Sequence, residues 1–485
     1  MENNYDAIVV GAGPGGVTVA SLLANSGKRV LLADKNPKCG GRMMTVVKDG
    51  FHYELFPINC VPQHNSLYEK LSGILGKDKD VTLILGDEFG YIGDLYFEDG
   101  KGVVRKWRLG ASPIKMITTL GIRLYNIPAL LGVFMALKKF ATMPKSEYSK
   151  LYQISARDYF DSVAKVPEGL RTYFLATFAE GVFEMTSDKV PASEMIKAFQ
   201  VTVKGSGGRY YEGGIGHFFD VMSTTVEENG GMKLMNTRVK SIDIENGKAA
   251  GITTESGEKF TAPLVISDAG IRQTAIKLAG EEHFEKPYID RLKKLENNLA
   301  CVGFRYFTDA PVLDVPMAVY YPAGCVGTWQ EFEDMQNGKT KPKHNYIYLG
   351  TTSLYKNMAP AGKQVIYAVM SCTPDTKQDL TPYLEYIEAR TRKLCPKLYD
   401  HIERTEIMTP GSVVGVGNDM MFEGQGGESY GTAISVGQAG PDRPSAKSPV
   451  EGLYYVGNDV EGSGLGTHLA VESGFKVFEI VTEAK

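Results

Sequence analysis

The stretch Gly11-Ala12-Gly13-Pro14-Gly15-Gly16 decides the fold of the N-terminal part of this chain. The apolar segment before it, 6–10, predicts a buried parallel strand. The small and aliphatic residues of 17–26 predict a helix that ends at Gly27, and 29–33 predicts a second strand. A strand, a glycine turn, a helix and a second strand within about 30 residues indicate one βαβ unit.

The glycines of this turn have the spacing G-x-G-x-x-G of a dinucleotide-binding loop. The first glycine permits the tight turn, the second lets the backbone approach a pyrophosphate, and the third lets the helix pack on the strand. The free N–H groups of the helix then point at the phosphates. Asp34 ends the second strand, about 20 residues on, where an acidic side chain binds a ribose hydroxyl. The segment therefore predicts a bound dinucleotide.

The residues that follow Asp34 favour FAD over NAD. Lys38-Cys39-Gly40-Gly41-Arg42 contains a glycine pair that lets a loop cross close to the pyrophosphate. Arg42 can neutralise the phosphate charge. A surface arginine is the alternative interpretation of Arg42.

Composition and charge exclude several classes of protein. The 485 residues are 43% hydrophobic and 23% charged, which is typical of globular proteins rather than disordered ones. A formal net charge of −4 predicts no nucleic-acid partner. None of the six cysteines has zinc-ligand spacing, so no metal is expected. Because no signal peptide and no long apolar run is visible, we expect a cytoplasmic protein.

The rest of the chain predicts further helices and strands in alternating blocks. Apolar residues interrupted by basic ones predict two short helices in 113–141, with a break at Pro128. Further helices are predicted through 153–200. Later helices are expected at 376–399 and 467–483. Strands are predicted at 233–243, 248–254, 258–266, 299–308, 316–321, 345–351, 364–371 and 452–456.

Taken together, these motifs resemble the FAD-dependent amine oxidase and phytoene desaturase superfamily, and within it the phytoene desaturase and retinol saturase-like oxidoreductases. The supporting blocks are the glycine turn, Gly40-Gly41-Arg42, Gly50-Phe51-His52-Tyr53-Glu54, Tyr211–Gly216, Thr237–Ile242 and Gly457-Asn458-Asp459 through Gly474. The chain departs from the family pattern at Leu55-Phe56-Pro57, at Glu212 and at Glu461-Gly462-Ser463-Gly464.

This resemblance implies an α/β fold. A Rossmann-like FAD-binding domain would be assembled from 1–65, 205–285 and 425–485. An α+β substrate-binding domain with a helical cap would be interleaved with it, at 66–204 and 286–424. The flavin would lie under the C-terminal helix, whose positive end stabilises the anionic edge of the reduced ring.

The motifs and the resemblance together name the expected site residues. Those expected to bind FAD are Gly11, Ala12, Gly13, Pro14, Gly15, Gly16, Asp34, Lys35, Gly41, Arg42, Val239, Gly457, Asn458, Asp459, Gly466, Thr467, His468 and Leu469. The candidates for proton transfer are His468, His217 and Tyr211. The alternatives are a helix-capping role for His468, a core or surface role for His217, and plain packing for Tyr211.

The expected function is that of an FAD-dependent oxidoreductase acting on carbon–carbon bonds of a lipophilic, isoprenoid-like or alicyclic substrate. Desaturation, saturation and redox-neutral isomerisation share this scaffold, and the sequence does not choose among them. Gly205-Ser206-Gly207-Gly208 precedes Arg-Tyr-Tyr rather than a helix, so no NAD(P)H domain is expected. A quinone, oxygen, a redox protein or the substrate itself would then exchange electrons with the flavin.

Two other functions and one surface property stay open from the sequence. A flavin amine oxidase would need an aromatic cage, and the turn at Asn458 and Glu461 carries no aromatic residue. A non-catalytic lipid carrier of the same fold would not need the intact glycine turn. Arg123, Lys138 and Lys139 beside apolar residues suggest peripheral membrane contact; buried helices with snorkelling ends are the alternative. The oligomeric state is not predicted.

Overall fold

The computed structural model of the chain describes residues 3–56, 66–85, 90–110, 127–166, 168–204, 209–340, 346–464 and 466–483. Within them, the α-helices are Pro14–Asn25, Leu67–Ile74, Ile127–Thr142, Ala156–Val163, Glu168–Leu175, Gly181–Phe183, Ala192–Lys204, Ile215–Glu228, Lys286–Lys293, Trp329–Gln336, Thr381–Leu394 and Thr467–Glu483. Two π-helical segments add Ala176–Glu180 and Gln273–Leu278.

A parallel sheet of five short strands forms the first layer, and its strands come from distant parts of the chain. Their order across the sheet is Leu453–Tyr455, Val265–Ser267, Ala7–Val10, Val30–Ala33 and Met232–Leu234. Every residue of the two N-terminal strands is buried, as expected when helices cover both faces. The strand order reverses between Ala7–Val10 and Val265–Ser267, so a ligand-binding crevice is expected at their carboxyl ends.

A second, mixed sheet of seven strands forms the other half of the molecule. Its order is Ile402–Met408, Ala300–Thr308, Gln364–Cys372, Ile347–Gly350, Met317–Tyr321, Tyr91–Glu98 and Val104–Gly110. Neighbours are antiparallel, except that Met317–Tyr321 runs parallel to Tyr91–Glu98. One face packs against the helix Thr381–Leu394 in a core of its own. Because side chains alternate along a strand, the opposite face is free to line a site.

Smaller strands connect these layers. Val239–Glu245, Lys248–Thr254 and Lys259–Thr261 form a three-stranded antiparallel sheet, and Leu83–Leu85 pairs with Arg209–Tyr211.

The hairpin Thr45–Lys48/Phe51–Glu54 turns at Asp49 and Gly50, both with positive φ, as a type I′ turn requires. Tyr367 of the large sheet donates its hydroxyl to the backbone carbonyl of Glu54 over 2.9 Å. The hairpin thereby joins the two halves of the molecule.

The α/β fold class predicted from the sequence is confirmed by this arrangement. The strands expected around 300–371 and the last helix are present, the latter at Thr467–Glu483. The strands Tyr91–Glu98, Val104–Gly110 and Ile402–Met408 were not predicted, because their charged side chains obscure the apolar pattern; the last two form the edges of the sheet. The expected domain boundaries stay a prediction.

The apolar segment 113–141 is described only in part. Its second predicted helix is present as Ile127–Thr142, with Pro128 in the first turn, where proline is tolerated. Residues 111–126 lie outside the described part of the chain, as do Gly205–Gly208. No helix in the described part is long and apolar enough to cross a membrane.

Candidate active site

A cavity of about 510 Å³ reaches from the glycine turn to the open face of the seven-stranded sheet. This volume is within the usual range for small-molecule and cofactor sites. We call one part the glycine-turn half; its wall includes Gly11, Gly13, Pro14, Asp34, Lys35, Arg42, Val239 and Asp268. We call the other part the sheet-face half; its wall includes Met317, Val319, Tyr321, Tyr346, Tyr348, Val369 and Ser371.

The glycine turn is too crowded to accept side chains. Gly11 has a φ of +98°, a conformation that other residues rarely adopt. A Cβ atom on Gly16 would lie 2.0 Å from the carbonyl oxygen of Gly11, and one on Gly13 would lie 2.5 Å from Oδ2 of Asp268. The turn thus keeps its backbone exposed along the cavity wall, as pyrophosphate binding requires.

Asp34 is fixed at the end of its strand by two backbone groups. Its Oδ2 accepts from the N–H of Ala12 over 2.6 Å, and its Oδ1 accepts from the N–H of Asn36 over 2.7 Å. Burial raises the pKa of this carboxyl, although both hydrogen bonds oppose the shift. An ionised carboxylate has about four acceptor sites, so a ribose hydroxyl can still bind.

A cluster of ion pairs and hydrogen bonds holds the loop 416–419 against the glycine-turn half of the cavity. Lys35 Nζ donates to Oδ1 of Asp419 and to the carbonyl of Gly417, each over 2.8 Å. Arg238 pairs with the other oxygen of Asp419. Nδ2 of Asn36 donates to the carbonyl of Val416 over 2.9 Å. The loop 416–419 is therefore tied across the strand ends, beside the expected nucleotide.

Asp268 is a site residue that the sequence analysis missed. It follows the strand Val265–Ser267 directly, and its Oδ2 accepts from the N–H of Gly16 over 2.9 Å. Burial raises its pKa to about 7, reinforced by the charges of Asp34 and Asp459 and opposed by Arg42. An acidic residue directly after a predicted strand could have identified it, because the carboxyl ends of neighbouring parallel strands meet at one edge of the sheet.

The C-terminal segment supplies a further part of the cavity wall. Gly457, Asn458, Gly466, Thr467 and His468 all line it, together with Tyr430. Burial lowers the pKa of His468 to about 4, so its imidazole is neutral at pH 7. Its ring packs edge-on against Tyr68 at 5.1 Å between centroids.

Asp459 supports this wall from behind. Its Oδ1 accepts from the N–H and the hydroxyl of Thr432 over 2.9 and 2.8 Å, and its Oδ2 accepts from the N–H of Ile271 over 3.1 Å. Burial opposes ionisation, but these bonds together with Arg272 and Arg443 lower its pKa. A structural role explains its contacts.

Three enclosed polar atoms in the cavity wall have no hydrogen-bond partner in the described part of the chain. They are Oδ1 of Asn458, Oε1 of Gln273 and Nε2 of His468. Buried polar groups are normally paired, so unpaired ones in a cavity indicate a polar ligand. FAD carries ring, ribityl and phosphate groups that would pair with them. The wall therefore fits this cofactor both at its glycine turn and at these three atoms.

The sheet-face half is apolar and aromatic because alternate residues of neighbouring strands point into it. Val319 lies directly opposite Tyr348, and Tyr348 opposite Val369, so one row of side chains crosses three strands. Cys301 lies opposite Ser371 on the next pair of strands, and both line the cavity. A chamber of this composition suits a lipophilic ligand.

The structure brings most, but not all, of the predicted site residues to the cavity. Ala12, Gly15, Gly16, Asp459 and Leu469 are not among the lining residues of the described chain. His217 is exposed, and Tyr211 is buried with its ring 4.6 Å from that of Phe218. Neither of these two lines the cavity, so their predicted catalytic role gains no support. Besides Asp268, the lining residues Glu184, Gln273 and Tyr430 were not predicted from the sequence.

The chain is similar to several known oxidoreductases. All-trans-retinol 13,14-reductase of Danio rerio is 22% identical over 95% of this chain and 83% of its own. The 4,4'-diapophytoene desaturase (4,4'-diapolycopene-forming) of Methylomonas sp is 22% identical over 84% of this chain and 83% of its own. A solved oxidoreductase from Methanosarcina mazei has the same fold, with a TM-score of 0.69 at 19% identity over 97% of this chain and 99% of that one.

The profile of the family described as flavin containing amine oxidoreductase matches residues 14–478, nearly the whole chain. This match confirms both the resemblance inferred from the motifs and the cofactor, FAD. The chain is an oxidoreductase that belongs to the flavin containing amine oxidoreductase family.

Proposed function

We propose that this protein transfers a hydride to or from a carbon–carbon bond of a lipophilic, isoprenoid-like substrate. One observation carries the proposal: a single cavity joins the glycine turn and Asp34 to a chamber lined by Val319, Tyr348 and Val369. The polar half suits the dinucleotide, and the apolar half suits a hydrocarbon chain beside it.

The chain's own residues would bind and orient the two partners. The glycine turn and Asp34 would hold the ADP part of FAD, while Asn458, Gln273 and His468 would bond the remainder. His468 would act as a neutral hydrogen-bonding group, because its pKa is about 4. Bound FAD supplies the hydride chemistry itself. The aromatic side chains of the sheet-face half would exclude water and align the substrate.

The named relatives support a polyene substrate without choosing a direction. One is a reductase of all-trans-retinol and the other a desaturase of 4,4'-diapophytoene. Both names describe the addition of hydrogen to a carbon chain or its removal from one. An external quinone or redox protein would exchange electrons with the flavin between turnovers.

A lipophilic substrate would enter the cavity near Val201. Val201 lines the cavity and is 41% exposed. Its helix, Ala192–Lys204, packs against Ile127–Thr142, which exposes Phe134 and Met135 by about 60% each. Exposed apolar side chains, with Lys138 and Lys139 on the same helix, fit peripheral contact with a membrane surface. Cytoplasmic location and membrane contact both stay predictions.

Flotation with anionic liposomes tests the membrane contact. The wild-type protein should float with the vesicles, and the double variant Phe134→Asp, Met135→Asp should float less. Wild-type protein that stays entirely at the bottom of the gradient would dispose of this part of the proposal.

The function itself is tested with the flavin as reporter. The purified holoprotein is precipitated first, and FAD is identified in the supernatant. Reduced holoprotein is then mixed anaerobically with all-trans-retinol, and oxidised holoprotein with phytoene. We expect the flavin to change redox state in at least one mixture, with a product that differs by two hydrogens. No change in either mixture would contradict the proposal.

A further inference from the structure

Glu184 brings a carboxyl group into the sheet-face half of the cavity. Of the described residues that line this half, it is the one acidic side chain. Asp34, Asp268 and Asp419, the other acids in the wall, belong to the glycine-turn half. Burying a carboxyl group in an apolar chamber costs free energy, because the group loses its hydration. Its presence therefore points to a use.

The backbone at Glu184 is held in an unusual conformation. A π-helical segment, Ala176–Glu180, and a short helical turn, Gly181–Phe183, lead into it. Glu184 itself has φ 47° and ψ 52°, in the left-handed region that favours glycine. The N–H of Leu299 donates to its carbonyl oxygen over 2.8 Å. π-Helical insertions and left-handed non-glycine residues cluster at functional sites.

The side chain is positioned by the facing sheet. Ser371 Oγ donates to Oε2 of Glu184 over 2.9 Å. Cys301 lies opposite Ser371 on the neighbouring strand and also lines the cavity. The hydrogen bond holds one carboxyl oxygen against the seven-stranded sheet. The second oxygen is available to a ligand.

The surroundings of Glu184 favour its neutral, protonated form. Burial raises its pKa to about 8, the Ser371 hydrogen bond opposes this shift, and the charge of Glu180 adds to it. Among the described residues, the other titratable groups whose pKa the Glu184 charge raises are Cys301 and Cys372 on the facing strands and Tyr346 beside them. None of these groups is a cation that could stabilise a carboxylate.

We infer that Glu184 is the proton donor to the substrate when a carbon–carbon double bond is reduced at this site. One carbon receives a hydride, whose electron pair comes from reduced FAD, and the adjacent carbon receives the proton of the Glu184 carboxyl. The products are the saturated bond, oxidised FAD and the Glu184 carboxylate, which regains a proton from water. A hydroquinone or a reduced redox protein restores the flavin. The inference rests on the proposed function and selects its saturating direction.

Glu184→Gln tests the inference against Glu180→Gln as a matched control. Glu180 is buried one turn earlier, accepts from the N–H of Ser187 over 3.1 Å, and also has a raised pKa, about 7, but is not among the lining residues. Reduced holoprotein is mixed anaerobically with all-trans-retinol. We expect Glu184→Gln to reoxidise at least about 100-fold more slowly, the usual scale of general acid catalysis, with retinol affinity unchanged. Glu184→Asp should recover part of the rate, and Glu180→Gln should stay near the wild-type rate.

The pH profile separates a proton donor from a structural residue. The wild-type rate should fall as pH rises through about 8, since the carboxyl loses its proton there. Glu184→Gln should lack this step. A Glu184→Gln rate within threefold of wild type across the profile would overturn the inference.

Infrared difference spectroscopy of the oxidised holoprotein gives a readout independent of turnover. At pH 7 the wild-type protein should show a protonated-carboxyl C=O band that is absent from Glu184→Gln and present in Glu180→Gln. If wild-type protein reacts with no polyene, the proposed function fails, and this band alone decides the state of Glu184. Absence of the band at pH 7 would overturn the inference in either case.

Discussion

The two halves of the cavity recognise their ligands in different ways. The glycine-turn half presents backbone N–H groups and a few fixed carboxylates, all placed by the ends of short parallel strands. The sheet-face half presents side chains, drawn from strands such as Met317–Tyr321 and Gln364–Cys372 that are far apart in the chain. Recognition by the backbone requires that the glycines have no side chains. Recognition in the sheet-face half depends on which side chains are present. Substitutions should therefore act differently in the two halves.

Filling the glycine turn should give the largest effect. In Gly13→Val, the new side chain would enter the cavity wall and press on Oδ2 of Asp268, 2.5 Å from an added Cβ. Gly13 has φ −71°, which valine can adopt, and the atom nearest the added Cβ is the end of the Asp268 side chain, so that side chain should shift while the backbone of the turn is kept. We expect FAD affinity to fall at least about 100-fold, or about 2.7 kcal/mol, measured by titrating the apoprotein with FAD.

Gly73→Ala is the control for this substitution. Gly73 lies in the helix Leu67–Ile74, where an added Cβ would meet no atom within 4 Å. It should keep wild-type FAD affinity. Wild-type affinity in Gly13→Val would break the comparison, because the turn would then not need its open backbone.

The pH dependence of FAD binding should report on Asp268. Its pKa in the folded chain, about 7, exceeds the ordinary 3.8, so the folded protein retains a proton that the unfolded chain releases. The free energy of unfolding due to this group therefore falls as pH rises between these values. Above pH 7 the carboxylate repels the phosphates, and FAD affinity should weaken by at most about tenfold per pH unit.

Asp268→Asn removes this titration while keeping the shape of the side chain. Its FAD affinity should be nearly constant from pH 6 to pH 9, a range of about one pH unit below and two above the wild-type pKa. An unchanged pH profile in Asp268→Asn would assign the dependence to another group.

A charge at the mouth should disturb the sheet-face half and leave the other half intact. Val201→Asp places a carboxylate where a lipophilic chain must pass, and we expect about tenfold weaker binding of all-trans-retinol. Val203→Asp is the matched control, because Val203 is on the same helix and 54% exposed but does not line the cavity in the described chain. Both variants should bind FAD normally when assayed in detergent. Equal losses of retinol affinity in the two variants would indicate that the substrate enters elsewhere.

His468→Asn should have the smallest effect. If Nε2 of His468 gains one hydrogen bond when FAD binds, its loss costs about 0.5–1.5 kcal/mol, or roughly a threefold to tenfold weaker affinity. Because the imidazole is neutral at pH 7, no pH dependence should be lost with it. A 1000-fold loss would indicate a role beyond this single bond.

The sequence predicts the glycine-turn half because its information is local. The glycines, Asp34 and Arg42 lie within 32 consecutive residues, from 11 to 42, and each residue type has a physical reason for its place. His468, which was predicted because it opens a helix after a glycine-rich turn, also lines the cavity.

The sheet-face half was not predicted because no local pattern encodes it. Val319, Tyr348 and Val369 become neighbours only through strand pairing, and the register of that pairing is not visible in the chain. The same reason explains why Tyr211 and His217 were predicted from their positions next to a glycine pair, although neither lines the cavity in the described part of the chain. Glu184 could have been noticed as a lone acid in the apolar stretch Gly181–Met185.

The most direct test of the account is whether a polyene or an amine exchanges electrons with the bound flavin. Reduced holoprotein is mixed anaerobically with all-trans-retinol, and oxidised holoprotein with phytoene or with a primary alkylamine, while the visible flavin band is followed. The account predicts that a polyene changes the flavin redox state and yields a product differing by two hydrogens, whereas the amine leaves the flavin oxidised. Bleaching by the amine, with both polyenes inert, would contradict it.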